Sequence, residues 1–125
     1  MRYYTDTIPL PLAEKLKEKG MPLGSYVWMP NGMASRKDEA NLAYFDDQLT
    51  PYCTYAEVFD WLMEKGWLAA IGREYDFANE LVTERFEWGL EKVGCFSEHP
   101  EDGSGFCDTW HEAATEAIEN ALTLI

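Results

Sequence analysis

Two segments of the chain, residues 54–65 and 109–124, carry apolar side chains every three to four positions, the repeat of an amphipathic helix. Each opens with a threonine followed three residues later by a glutamate, a capping box that satisfies free backbone N–H groups. The first segment ends at Gly66, which suits the left-handed position after a helix. The pattern therefore predicts helices over about 54–65 and 109–124.

Between these helices the apolar period changes to two, which is typical of half-buried strands. The alternating apolar positions are Trp67, Ala69, Ile71, Tyr75 and Phe77 on the first arm, and Phe86, Trp88 and Leu90 on the second. A turn falls near 77–81, where Asn79 tolerates a positive φ. We expect an antiparallel β-hairpin over about 67–93.

The N-terminal half is less regular. Pro9 and Pro11 precede a short charged segment ending at Gly20, which predicts a first helix over about 12–20. Residues 25–29 are aromatic and β-branched and predict a strand before a Pro-Asn-Gly turn. Residues 34–52 fit either a helix capped by Ser35 or a strand over 42–45, and both alternatives stay open.

These elements predict a single α+β domain spanning residues 1–125. Its short antiparallel sheet contains the 67–93 hairpin, and the helices at 54–65 and 109–124 pack on it. With 125 residues, 46% of them hydrophobic, and five tryptophans, the chain has enough apolar material for a core.

The charge of the chain is strongly negative and unevenly placed. The formal net charge is −13. Residues 1–40 hold six Lys or Arg against five Asp or Glu, whereas residues 41–125 hold four against eighteen. Phosphate backbones and anionic membranes should repel such a chain, so we expect no direct binding to either. The same charge would suit a mimic of nucleic acid that occupies a basic nuclease or DNA-binding protein.

A cytoplasmic location is expected. The N-terminal residues lack the apolar core of a signal peptide, and no apolar run approaches the length of a membrane span. Three cysteines leave one over from any pairing, which suits free thiols in a reducing compartment.

A possible zinc site combines two of the three cysteines with both histidines of the chain: Cys95, His99, Cys107 and His111. Two thiolates and two imidazoles suit tetrahedral zinc, and the glycine-containing loop 100–105 would bring the pairs together. The C-x3-H spacing differs from the usual C-x2-C and C-x4-C zinc motifs. A solvent-exposed loop without metal is the competing interpretation.

No catalytic motif is evident in the sequence. A nucleophile elbow and a glycine-rich phosphate loop are both missing. The chain has only two histidines that could serve as the base of a catalytic triad. Trp61 and Trp67 are candidates for a partner surface. Trp61 lies off the main apolar stripe of its helix, so it contacts either the N-terminal segment or another protein.

The order of three segments and a hairpin resembles that of a known group of small proteins. The segments are LAEKLKEKG at 12–20, TYAEVFDWL at 54–62 and WHEAATEAI at 110–118. The group consists of uncharacterised proteins of phages, prophages and other mobile elements of gut Bacteroidetes. The resemblance implies a non-enzymatic accessory protein that binds another protein. The nucleic-acid mimic and a small zinc-binding protein are the alternatives, and exposed aromatic residues on the sheet would also allow a homodimer.

Overall fold

The computed structural model describes residues 3–93 and 104–125. The chain divides into two compact units, Met1–Val58 and Phe59–Ile125, which we call the N-terminal and C-terminal units. Within the described residues the structure has four α-helices and two three-stranded antiparallel sheets, so the predicted α+β class is confirmed. The expectation of a single domain stays a prediction. None of the described helices combines the length and the apolar character needed to cross a membrane.

The N-terminal unit contains a first helix and a small sheet. Helix α1 covers Leu10–Glu18, with Pro11 in its first turn, and Gly20 adopts a φ of 88° just beyond it. The sheet has the order β2-β1-β3, from the strands Tyr26–Trp28 (β1), Ala34–Arg36 (β2) and Thr50–Pro51 (β3). The predicted first helix and the predicted strand near 25–29 are both present.

The segment that sequence left open forms neither a long helix nor a strand over 42–45. A four-residue helix, Lys37–Ala40 (α2), follows β2, and a 3-10 turn covers Asp46–Gln48. Val27, Ala40 and Leu49 meet in a small apolar cluster that fixes this segment. The segment contributes only Ala40 and Leu49 to this cluster, at positions that follow neither a helical nor a strand period, so its structure is irregular.

Helix α3 covers Tyr55–Glu64 and begins with the predicted capping box. The backbone N–H of Thr54 donates to Glu57 Oε1 at 3.2 Å, and the N–H of Glu57 donates to Thr54 Oγ1 at 3.3 Å. Gly66 adopts a φ of 95° after the helix, as its position predicts.

The C-terminal unit is a three-stranded sheet packed by one long helix. The strands Trp67–Asp76 (β4), Leu81–Lys92 (β5) and Ser104–Cys107 (β6) have the order β4-β5-β6. Helix α4, Trp110–Leu124, is capped by the Thr109 side chain and contacts all three strands. Its alanines are fully buried, which lets the helix approach the sheet closely.

Three sequence expectations for this unit need correction. Residues 104–107 form a strand paired with β5, whereas the sequence predicted a loop. The residue with positive φ in the hairpin turn is Glu80, at 51°, and not Asn79. The apolar alternation of the first arm stops contributing to the core after a register shift between Arg73 and Tyr75, because Tyr75 and the residues beyond it extend into solvent.

Candidate protein-binding surface

The far end of the β4–β5 hairpin exposes four apolar residues, which we call the hairpin end. They are Tyr75, Phe77, Leu81 and Val82, with exposed fractions of 43, 83, 47 and 59%. Tyr75 and Val82 are paired directly across the strands. The rings of Tyr75 and Phe77 lie edge to face with their centroids 4.7 Å apart. Tyr75, Phe77 and Val82 are thus neighbours, and Leu81, which pairs with Asp76, lies on the opposite face of the hairpin. Apolar side chains are therefore exposed on both faces of a hairpin end that is normally polar.

The turn that carries the hairpin end is held by Asp76. One carboxylate oxygen, Oδ1, accepts hydrogen bonds from the backbone N–H groups of Ala78 and Asn79, and the other accepts from Asn79 Nδ2 at 2.8 Å. The side-chain and backbone hydrogen bonds from Asn79, followed by that from Ala78, lower the pKa of Asp76. These bonds order the turn and with it the backbone of Phe77.

The side of the sheet turned away from the buried residues forms a flat surface, which we call the outer face. It consists of Leu68, Ala70 and Gly72 of β4, Arg85, Glu87, Gly89 and Glu91 of β5, and Ser104 and Phe106 of β6. The Arg85 guanidinium lies 5.5 Å from the centroid of the Phe106 ring. Leu68 and Phe106 are 41 and 48% exposed. Because small residues occupy its centre, an extended chain can approach the backbone closely there.

The outer face contains two unpaired negative charges among the described residues. The exposed carboxylates of Glu87 and Glu91 form no ion pair or hydrogen bond with another described residue. Residues 59–125 contain four Lys or Arg against fifteen Asp or Glu. The field around this unit therefore attracts positively charged molecules.

The two tryptophans predicted as a partner surface are buried. Trp61 is 6% and Trp67 is 8% exposed. The Lys65 ammonium lies 5.7 Å from the centroid of the Trp61 ring, and Trp67 is the first inward-facing residue of β4. The prediction needs correction because neither ring offers more than a small part of its area to a partner.

Only two of the four residues of the predicted zinc site, Cys107 and His111, belong to the described part of the chain. Cys95 and His99 lie outside the described residues. Cys107 lies in β6, and His111 lies in the first turn of α4 beside the Trp110 ring. Across residues 3–93 and 104–125, no three metal-binding side chains are grouped to hold an ion. The zinc site stays a prediction.

Cys107 belongs to a polar cluster that connects two strands to α4. Oε2 of Glu116 accepts hydrogen bonds from Trp88 Nε1 at 2.8 Å and from Cys107 Sγ at 2.9 Å. Burial, then the hydrogen bond to Glu116, raises the pKa of the Cys107 thiol to about 11, and these two hydrogen bonds lower the pKa of Glu116. A protonated thiol is a poor nucleophile, so this cluster is suited to holding elements together.

The other described cysteine has a similar chemical state. Cys53 is buried in the N-terminal unit, where burial and then the nearby Glu57 carboxylate raise the pKa of its thiol to about 12. At neutral pH both described thiols are protonated. The expectation of free thiols is met for Cys53 and Cys107.

Sequence reasoning missed the hairpin end because it assigned Tyr75 and Phe77 to the core. A signal was present: apolar residues on both sides of a turn, at 75, 77, 81 and 82, exceed what a short hairpin can cover. Comparisons with protein-family models, curated proteins and solved structures gave no match to this chain.

Proposed function

We propose that the protein is a non-enzymatic binding protein that docks onto another protein through the hairpin end. The observation that carries this proposal is the exposure of Tyr75, Phe77 and Val82 as neighbours at an ordered turn, with Leu81 exposed on the other face. Exposed apolar clusters of this kind mark interaction sites, because leaving them in water is unfavourable.

The chemistry of the hairpin end suits the centre of an interface. Aromatic side chains bury large areas and have few rotatable bonds, so they lose little entropy on binding. The edge-to-face contact between Tyr75 and Phe77 restricts both rings before a partner arrives. Preorganisation of this kind lowers the entropic cost of association.

We further propose, from the resemblance in layout, that the protein is an accessory protein of a phage or mobile element and that it acts in the cytoplasm. Its partner would then be a protein of the host or of the element itself.

The test is affinity capture from a lysate of the native host with three tagged forms of the full chain. The wild type and Phe45→Ser should retain the same stoichiometric partner, whereas Phe77→Ser should lose it. Phe45 is a matched control because it is 80% exposed, close to the 83% of Phe77, and lies in the N-terminal unit. A partner retained equally by all three forms, or no protein above background, would refute the proposal.

A nucleic-acid mimic is a second candidate, favoured by the acidic C-terminal unit and by the free carboxylates of Glu87 and Glu91. Its partner would be a basic nuclease or DNA-binding protein. Such a complex should weaken steeply as salt rises and should be displaced by duplex DNA. Salt-insensitive binding would exclude mimicry and leave docking through the apolar hairpin end.

A further inference from the structure

We propose that the partner contributes an extended, positively charged segment that adds to the sheet as a fourth strand along the free edge of β4. This inference rests on the proposed function and specifies the chemistry of the partner. It is carried by the open edge of β4, by the missing protection of that edge, and by the charges beside it.

One edge of the C-terminal sheet is open. In the order β4-β5-β6, β4 pairs with β5 alone. Among residues 3–93 and 104–125, no backbone hydrogen bond joins the other edge of β4 to a further segment. The opposite edge strand, β6, has 4 residues, whereas β4 has 10. A long edge presents a row of N–H and C=O groups that an extended chain can bind.

Part of the β4 edge lacks the usual protection against such pairing. Edge strands are usually blunted by lysines, prolines, bulges or short length. On its outer side β4 presents Leu68, Ala70 and Gly72, which carry no charge. Its pairing with β5 is uninterrupted from Trp67 to Arg73, so the strand has no bulge over this stretch. Over residues 67–72 the edge therefore carries no charge and no bulge, and the exposed Arg73 and the register shift beyond it limit the unprotected edge to this stretch.

Two carboxylates on β5 favour a positively charged added strand. Glu91 lies opposite Leu68 and Glu87 lies opposite Gly72, on the strand next to the edge. A strand added to β4 would lie about 10 Å from β5, because adjacent strands are about 4.8 Å apart. Lysine or arginine side chains can cross the small residues Ala70 and Gly72 and reach both carboxylates. Alternate positions of the partner segment should therefore be cationic.

The same charges disfavour a second copy of this chain as the occupant. Self-pairing would bring together two units that each hold four basic and fifteen acidic residues. A cationic segment is instead attracted by the carboxylates of Glu87 and Glu91 along residues 67–72. If it continues past Arg73, its apolar end reaches Tyr75 and the rest of the hairpin end, so one partner would use both surfaces.

The experiment uses fluorescent peptides of about nine residues, close to the length of β4, with the full-length protein. The first peptide alternates valine and lysine, the second alternates valine and glutamate, and the third is the first with every backbone nitrogen methylated, which blocks both of its edges. We expect only the first to bind by fluorescence anisotropy. We also expect it to slow amide hydrogen exchange along β4, because its backbone bonds to the β4 edge.

A substitution tests the position of binding. Ala70→Lys places a charge on the outer side of the edge strand and should weaken the valine–lysine peptide by about tenfold or more, which corresponds to about 1.4 kcal/mol. Thr123→Lys, at an exposed position of α4, makes the same charge change and should leave binding within about twofold. Near-UV circular dichroism verifies that both variants are folded.

The inference is overturned if the methylated or the glutamate peptide binds as well as the first, or if amide protection appears away from β4. A dimer in sedimentation that Ala70→Lys abolishes would assign the edge to a second copy and also overturn it. In the capture experiment, loss of the partner by Phe77→Ser but not by Ala70→Lys refutes this inference alone. Retention by both variants refutes the proposed function as well.

Discussion

At the residue scale, Gly105 and Glu116 decide how β6 joins the C-terminal unit. A Cβ atom on Gly105 would lie 2.6 Å from Trp88 Nε1, closer than packed atoms approach. The absent side chain lets the indole cross β6 and donate to Glu116. The sequence shows a glycine in a glycine-containing loop, and only the neighbouring indole explains why it is there.

Gly105→Ala should destabilise the protein by about 1–3 kcal/mol, because the Trp88 ring must shift and its hydrogen bond to Glu116 is strained. Gly72→Ala is the matched control, since a Cβ there has open space and alanine suits a strand better than glycine. Urea unfolding followed by tryptophan fluorescence measures both. Equal stabilities of the two variants would show that the indole contact is unimportant.

Glu116 should make stability depend on pH. Hydrogen bonds from Cys107 and then Trp88 lower its pKa in the folded state below the ordinary value of 4.5. Its contribution is therefore complete above pH about 4.5 and is lost as pH falls through the folded pKa. Relative to wild type, Glu116→Gln should lose less than about 1 kcal/mol near pH 7, since this carboxylate is exposed.

The measurement for Glu116 is the difference in unfolding free energy between wild type and variant at several pH values. Other carboxylates titrate equally in both proteins and cancel. The difference should shrink toward zero as pH falls below the folded-state pKa of Glu116, where the protonated carboxyl resembles the amide. A difference that stays constant or grows on acidification would contradict this role.

At the element scale, the helices followed their sequence patterns closely and the sheet did so in part. The capping threonines, the apolar stripe of α4 and Gly66 acted as predicted, because helix signals depend on neighbours within a turn. Strand β6 was missed because its four residues, Ser104–Cys107, become a strand only by pairing with Phe86–Gly89. Such pairing between distant segments leaves no periodic pattern in a short strand.

Replacing glutamate by glycine should have opposite effects on stability in the hairpin turn and within β5. Glu80 adopts a φ of 51°, which is unfavourable for a residue with a Cβ atom. Glu80→Gly should therefore stabilise the protein by up to about 1 kcal/mol. Glu84→Gly, at an exposed position within β5, should destabilise it by about 0.5–1 kcal/mol. Urea unfolding measures both, and a loss of stability in both variants would contradict the strained turn.

At the scale of the whole molecule, net charge dominates behaviour in solution. A formal charge of −13, carried mostly by residues 41–125, should repel polyanions and attract cationic partners. The sequence alone supports this conclusion, because counting charges requires no coordinates. The placement of Glu87 and Glu91 beside an open strand edge required the sheet register.

Self-repulsion should make the folded state more stable as salt rises. Between low salt and about 0.5 M sodium chloride, the free energy of unfolding should increase, because screening weakens repulsion among the carboxylates. The double variant Glu87→Gln with Glu91→Gln should start more stable at low salt and gain less. Urea unfolding at both salt concentrations measures this. An equal increase in the free energy of unfolding for the wild type and the double variant would show that Glu87 and Glu91 do not repel the other carboxylates.

Local periodicity and composition were sufficient to predict the three longer helices, the presence of the hairpin, the α+β class and the sign of the charge. Tertiary structure decided which apolar residues are core and which are surface. Trp61 is buried, and Phe77, which continues the alternation of β4, is in solvent. The physical reason is that burial depends on what covers a side chain, and α4 shields the inward positions near Trp88 but leaves the hairpin end exposed.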